Sequence, residues 1–238
     1  MSKANYHTVD DSGKVNIICL YWVGEFRGRD FITMDVARLF QTVYKHCDRP
    51  FDFYVLTNDM DCDIPGTKIP LLHPDDWPGW WAKMELHRPD LPPGRTLYMD
   101  LDSHAIRSLG PILDYEGDLV MFNARTNPRK QDAMIVHRYQ AATMLFDPGK
   151  FTWMYDKFLA DWDYYIEHYR SDQDIMGEWI PNQPTFPDPW LMKMGEIQKN
   201  RPRYNITPPE ETIIVTGQPK SGLFRRTDEI RWLEKMAR

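Results

Sequence analysis

The feature that most constrains this chain is the segment Leu97-Tyr-Met-Asp-Leu-Asp-Ser103, where a short apolar run ends in two carboxylates separated by one residue. In an extended strand alternate side chains point to the same face, so Asp100 and Asp102 are expected to share a face about 7 Å apart. Two carboxylates can hold one hard divalent cation, Mg²⁺ or Mn²⁺, which keeps further positions open for water and substrate phosphates. The segment therefore predicts a metal site at a strand end and a nucleotide diphosphate as substrate.

Other Asp-x-Asp pairs occur in this acidic chain, and their surroundings distinguish them from the first. The run that begins at Asp59 starts like a calcium-binding loop, but Ile64 stands where that loop needs glycine and Pro70 where it needs glutamate. Asp161 lies in an aromatic stretch with helical spacing, where alternate residues face different directions. Only the pair at 100 and 102 follows a strand-like run. The competing pairs are Asp59/Asp61, Asp61/Asp63, Asp161/Asp163 and Asp172/Asp174.

Length, charge and cysteine content narrow the class of protein. A chain of 238 residues is long enough to bury a sizeable core, and we predict one α/β domain. The formal net charge of −6 disfavours a nucleic acid or an anionic membrane as the main partner. The three cysteines are odd in number and lack metal-finger spacing, which favours reduced thiols in a cytoplasmic protein. No apolar run approaches the ~20 residues of a membrane span.

Hydrophobic periodicity predicts strands that alternate with helices. Strands are predicted over 15–21, 51–56, 67–72, 95–100, 118–123, 133–136 and 213–215. Helices are predicted over 30–46 and 80–86, aromatic residues recur at helical spacing over 143–169, and the Pro-rich segment 180–209 is predicted to be irregular. This alternation indicates a mainly parallel central sheet flanked by helices, in which ligands collect at the carboxyl ends of strands.

Several short motifs, taken in order, resemble those of small GT-A glycosyltransferases related to glycogenin and to bacterial galactosyltransferases, and the chain resembles a small bacterial or phage member. The motifs extend through most of the sequence: residues 51–59, Trp80-Trp-Ala-Lys83, residues 95–103, Ser171-Asp-Gln173 and Gly217-Gln-Pro-Lys220. The resemblance implies a single Rossmann-like nucleotide-sugar-binding domain over 1–238. Its nucleotide-binding half would cover 15–122, and its acceptor-side half and tail 123–238.

The resemblance also implies roles for individual residues on the donor side. Asp100 and Asp102 would ligate Mn²⁺ or Mg²⁺ bridging the diphosphate, and Lys83 would touch sugar or phosphate, with a buried salt bridge as the competing interpretation. The nucleotide sugar would also contact the ends of the first two strands, the residue between the two acids and the C-terminal motif: Leu20, Tyr21, Thr57, Asn58, Asp59, Leu101, Gly217 and Lys220. Local turn formation by Asn-Asp is the alternative role at 58 and 59.

Asp172 and Gln173 match the Asp-Gln pair that lies against the transferred sugar in this family, so both are predicted to be catalytic. Asp172 would act as a base if the reaction inverts the anomeric carbon. If the configuration is retained, as in the resembling group, Asp172 and Gln173 would steady an oxocarbenium-like state. The same residues also read as a helix start, with Ser171 or Asp172 as the N-cap, and the two roles are compatible.

One departure from the family pattern concerns the third metal ligand. Members of this group commonly carry a histidine shortly before the glycine of the last motif, whereas this chain has Ile213-Ile-Val-Thr216 there. Water, Thr216 or a loop residue could complete the shell. Weaker metal binding and loss of catalysis are the other possibilities. His104 shares the parity of Asp100 and Asp102, so it could join them only if the strand continues straight.

The function implied by this reading is a metal-dependent glycosyltransferase that moves a hexose from a nucleotide diphosphate sugar, with a UDP-sugar favoured, to an acceptor hydroxyl. The acceptor could be a glycan, a small molecule or a modified DNA base. One alternative is a catalytically inactive nucleotide- or glycan-binding module, suggested by the missing histidine. Another is glycosylation of a hydroxylated DNA base, for which a rim of basic residues could contact phosphates: Arg125, Arg129, Lys130, Arg225 and Arg226.

Overall fold

The centre of the fold is a buried strand, β1 (Val15–Tyr21), whose apolar and β-branched residues suit a position covered on both faces. The computed structural model describes residues 13–26, 31–123, 139–199 and 208–217. β1 pairs in parallel with β2 (Phe51–Thr57) on one side and with β4 (Thr96–Met99) on the other. Successive strands are thus added first on one side of β1 and then on the other, so the strand order reverses between β1 and β4. Ligands commonly bind in the crevice at such a reversal point.

Six strands form the main sheet in the order β3-β2-β1-β4-β7-β6. β3 (Thr67–Pro70) extends the parallel part, whereas β7 (Tyr139–Phe146) pairs antiparallel with both β4 and β6 (Leu119–Asn123). The predicted mainly parallel α/β sheet is therefore confirmed, with an antiparallel edge.

Helices cover the two faces of this sheet because its strands send apolar side chains to both sides. α1 (Thr33–His46) lies on one face, where Val36, Leu39 and Val43 join the core of Ile17 and Cys19. The opposite face carries a 3₁₀ helix, α3 (Thr152–Ala160) and α5 (Asp172–Trp179), and α4 (Trp162–His168) lies between α3 and α5 in the chain.

The buried carboxylate of Glu85 anchors the 3₁₀ helix Gly79–His87 to the neighbouring segment of the chain. Glu85 is fully buried and accepts hydrogen bonds from the backbone amides of Leu72 and His73 at 2.8–2.9 Å. Arg88 donates to the same carboxylate at 2.6 Å and to the carbonyl of Pro70 at 2.9 Å. Because each buried charge is paired and hydrogen-bonded, this network ties the helix to the end of β3.

A small second sheet lies beside the first and has the order β5-β9-β8. β5 (Ser103–Ala105) pairs antiparallel with β9 (Ile214–Thr216), and β8 (Leu191–Lys193) pairs in parallel with β9. The short helices α2 (Gly110–Leu113) and α6 (Met194–Lys199) follow β5 and β8. No helix in the described part of the chain has both the length and the apolar character that a membrane span requires.

Most predicted strands agree with the structure, but two segments differ. The aromatic stretch 143–169 begins as the end of β7, because Thr143 to Phe146 are buried against β4 and β6; helix starts only at Thr152. The segment 180–209 is not wholly irregular, since it contains β8 and α6. The predicted strand 133–136 lies outside the described residues.

A buried histidine makes the stability of this fold depend on pH. His87 is 2% exposed, and burial lowers its pKa to about 4 from the usual value near 6.5. Between pH 6.5 and pH 4 the His87 imidazole is therefore protonated in the unfolded chain but neutral in the folded chain. The free energy of unfolding consequently falls as the pH is lowered from 6.5 towards 4. We expect this residue to reduce the free energy of unfolding by about 2 kcal/mol between pH 7 and pH 5.

Urea unfolding at the two pH values, with the parent and His87→Leu, measures this contribution. The loss of stability at pH 5 should be smaller in the variant by about the same 2 kcal/mol. His168→Gln, at an exposed position on α4, serves as the matched control and should keep the parental loss. Equal losses in the parent and His87→Leu would contradict the assignment.

Candidate active site

A cavity of about 670 Å³ opens at the carboxyl ends of β1 and β4, where the strand order reverses. It is bounded by the loops after β1 and β4, the 3₁₀ helix, β7, β8 and the start of α5. The lining residues with hydroxyl, amide or charged side chains are Lys83, Tyr98, Asp100, Asp102, Gln140, Arg170, Ser171, Asp172, Gln173 and Lys193. The cavity therefore contains both carboxylates of the predicted metal site and both residues predicted to be catalytic.

Asp100 and Asp102 reach the same cavity through a turn, which corrects the expected extended strand. β4 ends at Met99, and the amide of Ser103 donates to the carbonyl of Asp100 at 2.9 Å, closing a turn over Leu101 and Asp102. The turn forms because Asp100 still pairs with β7, its amide donating to Ala142 at 2.9 Å, while Ser103 already belongs to β5. Strand alternation is thus not the reason that the two acids share a site.

Lys83 neutralises Asp100 inside the cavity. Its Nζ lies 2.7 Å from Oδ1 of Asp100 and 3.0 Å from Oδ2, and it also donates to the carbonyl of Ala141 at 3.3 Å. Burial tends to lower the pKa of Lys83, but Asp100 and Asp172 outweigh it and leave that pKa raised. The salt bridge considered as the alternative role of Lys83 is therefore present, and the lysine lines the cavity as well.

Tyr98, on β4, also hydrogen-bonds the Asp100 carboxylate. Its hydroxyl donates to Oδ1 of Asp100 at 2.5 Å, and burial followed by the charge of Asp100 raises its pKa well above the usual range. The hydroxyl therefore keeps its proton and can act as a fixed donor. Asp100 is held by two side chains on its inner side.

Asp172 is a buried carboxylate at the start of α5. It is 1% exposed, and the backbone amides of Gln173 and of Asp172 itself face its carboxylate and favour the charged form. Burial raises its pKa to about 6; Lys83 opposes this shift and Asp100 adds to it. The helix begins here with Ser171 at the N-cap position, whose side chain makes no capping bond. The segment therefore begins a helix, as predicted, and it places Asp172 and Gln173 in the cavity lining, a position compatible with the predicted catalytic role.

Four predicted nucleoside contacts lie near the strand ends but outside the cavity lining. Tyr21 packs into the core on the α1 face, and the Thr57 hydroxyl accepts the amide of Asp59 at 3.0 Å. The Asn58 side chain exchanges two 2.8 Å hydrogen bonds with the backbone of Val23, and Asp59 accepts the amide of Cys62 at 3.1 Å. Asp59 thus makes a local turn contact, whereas Asn58 links the end of β2 to the loop after β1.

Of the two residues predicted at the end of β1, Leu20 lines the cavity, and Trp22 lines it from the loop that follows. The Trp22 indole donates to the carbonyl of Pro74 at 2.9 Å, and Phe26 lies between Trp22 and Trp80, with ring centroids 6.4 and 4.6 Å apart. Gly79 leaves room for this wall, since a Cβ there would come within 2.1 Å of Phe26. Sequence analysis missed the wall, for which the adjacent tryptophans at 80 and 81 were the available signal.

The C-terminal motif reaches the acid turn through its glycine. The amide of Gly217 donates to the carbonyl of Asp102 at 3.2 Å, and its φ of +80° is one that L side chains rarely adopt. The Thr216 hydroxyl lies 3.5 Å from Oδ1 of Asp102 and 3.0 Å from the hydroxyl of Ser103. Lys220 lies outside the described residues, as do the basic residues of the DNA alternative: Arg125, Arg129, Lys130, Arg225 and Arg226.

The donor set suits a hard divalent cation only in part. Asp100 and Asp102 supply carboxylate oxygens, and the remaining positions would fall to water or to substrate phosphates, as Mg²⁺ and Mn²⁺ accept. The described residues contain no group of three or more His, Cys, Asp or Glu side chains placed to share a metal ion. His104 is turned towards Arg38 and Asp35 of α1, and burial together with the charge of Arg38 lowers its pKa to about 4. It does not line the cavity.

Comparison of the whole chain with known proteins identifies the architecture. No family model matches the chain, and no curated protein matches it in sequence. Among solved structures, the galactosyltransferase LgtC in complex with donor and acceptor sugar analogues matches with a TM-score of 0.59 over 94% of this chain and 95% of LgtC, at 14% identity. The chain has a GT-A glycosyltransferase fold.

Two larger glycosyltransferases share this GT-A fold. GlyE from Streptococcus pneumoniae TIGR4 matches over 93% of this chain with a TM-score of 0.62 and 14% identity, and the bifunctional glycosyltransferase WbbM matches over 80% with a TM-score of 0.51 and 12% identity. The chain spans 62% of the GlyE structure and 41% of the WbbM structure. A further LgtC structure carries an active-site substitution of glutamine by glutamate.

The backbone conformation at Gly217 predicts a specific cost of substitution. A Cβ at Gly217 would meet no atom within 4 Å, so Gly217→Ala should introduce no steric clash. We expect it to lower the free energy of unfolding by about 1 kcal/mol through backbone strain alone. Gly177 also has open space around it but lies within the helix α5. Because alanine favours a helix more than glycine does, Gly177→Ala should raise the free energy of unfolding by up to about 1 kcal/mol. Urea unfolding of both variants tests the pair, and an unchanged stability in Gly217→Ala would contradict the prediction.

Proposed function

We propose that this protein is a metal-dependent glycosyltransferase that moves a hexose from a nucleotide diphosphate sugar to an acceptor hydroxyl. The observation that carries the proposal is the cavity in which Asp100, Asp102, Lys83 and Asp172 meet at the reversal point of a glycosyltransferase fold. The resemblance favours a UDP-sugar as the donor. The LgtC structure, which is in complex with donor and acceptor sugar analogues, supports sugar ligands for a protein of this fold.

On the donor side the chain would hold the diphosphate and stabilise its departure. Asp100 and Asp102 would hold Mn²⁺ or Mg²⁺, which offsets negative charge on the leaving nucleotide when bound. Lys83 and Tyr98 fix the Asp100 carboxylate, so the acid is oriented before the substrate arrives. The aromatic wall of Trp22, Phe26 and Trp80 gives the same cavity an apolar side.

On the acceptor side Asp172 and Gln173 would act on the sugar. During transfer the bond between the anomeric carbon and the diphosphate oxygen breaks, a bond to the acceptor oxygen forms, and the acceptor hydroxyl releases its proton. With a pKa near 6, Asp172 is ionised at neutral pH and can take that proton in an inverting reaction. In a retaining reaction the same carboxylate and the Gln173 amide would steady the developing positive charge. An active-site glutamine in LgtC supports a role for Gln173.

Hydrolysis of UDP-sugars in the presence of Mn²⁺ tests the proposal. Asp102→Asn keeps the size of the side chain but removes a charge, and we expect the rate to fall by at least about 100-fold because stabilisation of the leaving group is lost. Asp61→Asn is the matched control, since Asp61 belongs to another Asp-x-Asp pair and is exposed outside the cavity. Its rate should equal that of the parent.

The same measurement separates the enzyme from an inactive binding module. Equal hydrolysis by the parent and Asp102→Asn would count decisively against the proposed site. Calorimetric binding of UDP-sugars with no turnover by the parent, across a panel of sugars, would instead support the module.

A further inference from the structure

The cavity holds a cation that the sequence analysis did not assign: Lys193, the last residue of β8. β8 runs parallel to β9 and places Lys193 in register with Thr216, whose hydroxyl lies 3.5 Å from Asp102. The carboxyl ends of these two strands therefore meet at the acid turn. Met192, the preceding residue, packs with the apolar cluster of Val215 on the other side of the strand, which anchors the backbone from which the lysine extends.

The balance of charge in the cavity favours a cation at this position for a phosphate ligand. Three described carboxylates line the space, and a diphosphate would add negative charge beside them. Lys83 is held by Asp100 at 2.7 Å, and Arg170 lines the cavity from the loop before α5, where its backbone amide donates to Asp174 at 3.2 Å. Lys193 lines the cavity from the small sheet, on the strand next to Thr216.

We propose that Lys193 binds the diphosphate of the sugar donor, an assignment that rests on the proposed function of the cavity. A lysine ammonium is a compact charge with three donors on a flexible stem, which suits phosphate oxygens. Its position at the end of β8 would add positive charge on the small-sheet side of the acid turn, in addition to the charge of the metal ion that Asp100 and Asp102 would hold. Lys193 thus extends the donor site onto the second, three-stranded sheet.

The test compares the affinity of uridine and of UDP, with Mn²⁺ present, for the parent and for Lys193→Met. Calorimetry measures UDP, and ligand-observed NMR measures the weaker nucleoside. We expect UDP to bind about ten-fold more weakly to the variant, because one charge-assisted hydrogen bond is lost, and uridine to bind as it does to the parent. Lys193→Arg keeps the charge and should recover most of the affinity for UDP.

A matched control removes the same charge elsewhere on the protein. Lys157 lies outside the cavity with its ammonium 4.1 Å from the centre of the Trp179 ring, and Lys157→Met should bind UDP as the parent does. Equal UDP affinity in the parent and Lys193→Met would overturn the assignment of Lys193 and leave the donor site itself in place. Equal losses for uridine and UDP would also overturn it, because a general disturbance of the cavity would explain them. A parent that binds neither ligand would overturn a UDP-sugar as the donor, and with it the assignment of Lys193 to the diphosphate of that donor.

Discussion

The buried ion pair between Lys83 and Asp100 is the interaction on which the geometry of the cavity depends. It joins the 3₁₀ helix to the end of β4, and the bond from Lys83 to the carbonyl of Ala141 adds β7 to the same point. Such a pair contributes little net stability, but removal of Asp100, whose side chain is 24% exposed, would leave the buried Lys83 ammonium without its nearest counter-charge. The arrangement therefore specifies where three elements meet more than it adds to the stability of the fold.

A second constraint comes from the union of the two sheets at the acid turn. The main sheet delivers Asp100, the small sheet begins one residue after Asp102, and Gly217 closes the junction through its amide. The turn is thus held on both sides by strands whose hydrogen bonds are formed without any ligand. Such a site is organised before any ligand binds, which would reduce the reorganisation that the proposed reaction requires.

The sequence was sufficient to predict the strands and helices whose own hydrophobic pattern determines their conformation. β1 and β2 are short apolar runs, and their parallel pairing follows from the helix between them, so the fold class and the strand-end position of Asp100 could be predicted. Local pattern failed where tertiary contacts decide the conformation. Residues 143–146 are a strand because β4 and β6 lie on either side, and Leu191 to Lys193 form a strand only because β9 offers an edge. Lys193 was missed for that reason.

The period of the 3₁₀ helix has a consequence for how this protein can diverge. In such a helix residues three apart eclipse one another, so Trp80 and Lys83 share the side that faces the cavity, while Glu85 and its partner Arg88 share another. Insertion of one residue between Lys83 and Glu85 would rotate Glu85 and Arg88 about the helix axis by roughly a third of a turn. This rotation would turn the structural Glu85–Arg88 pair towards the cavity. Relatives that bind different ligands here should therefore vary in side-chain identity at 80 and keep the length of this segment constant.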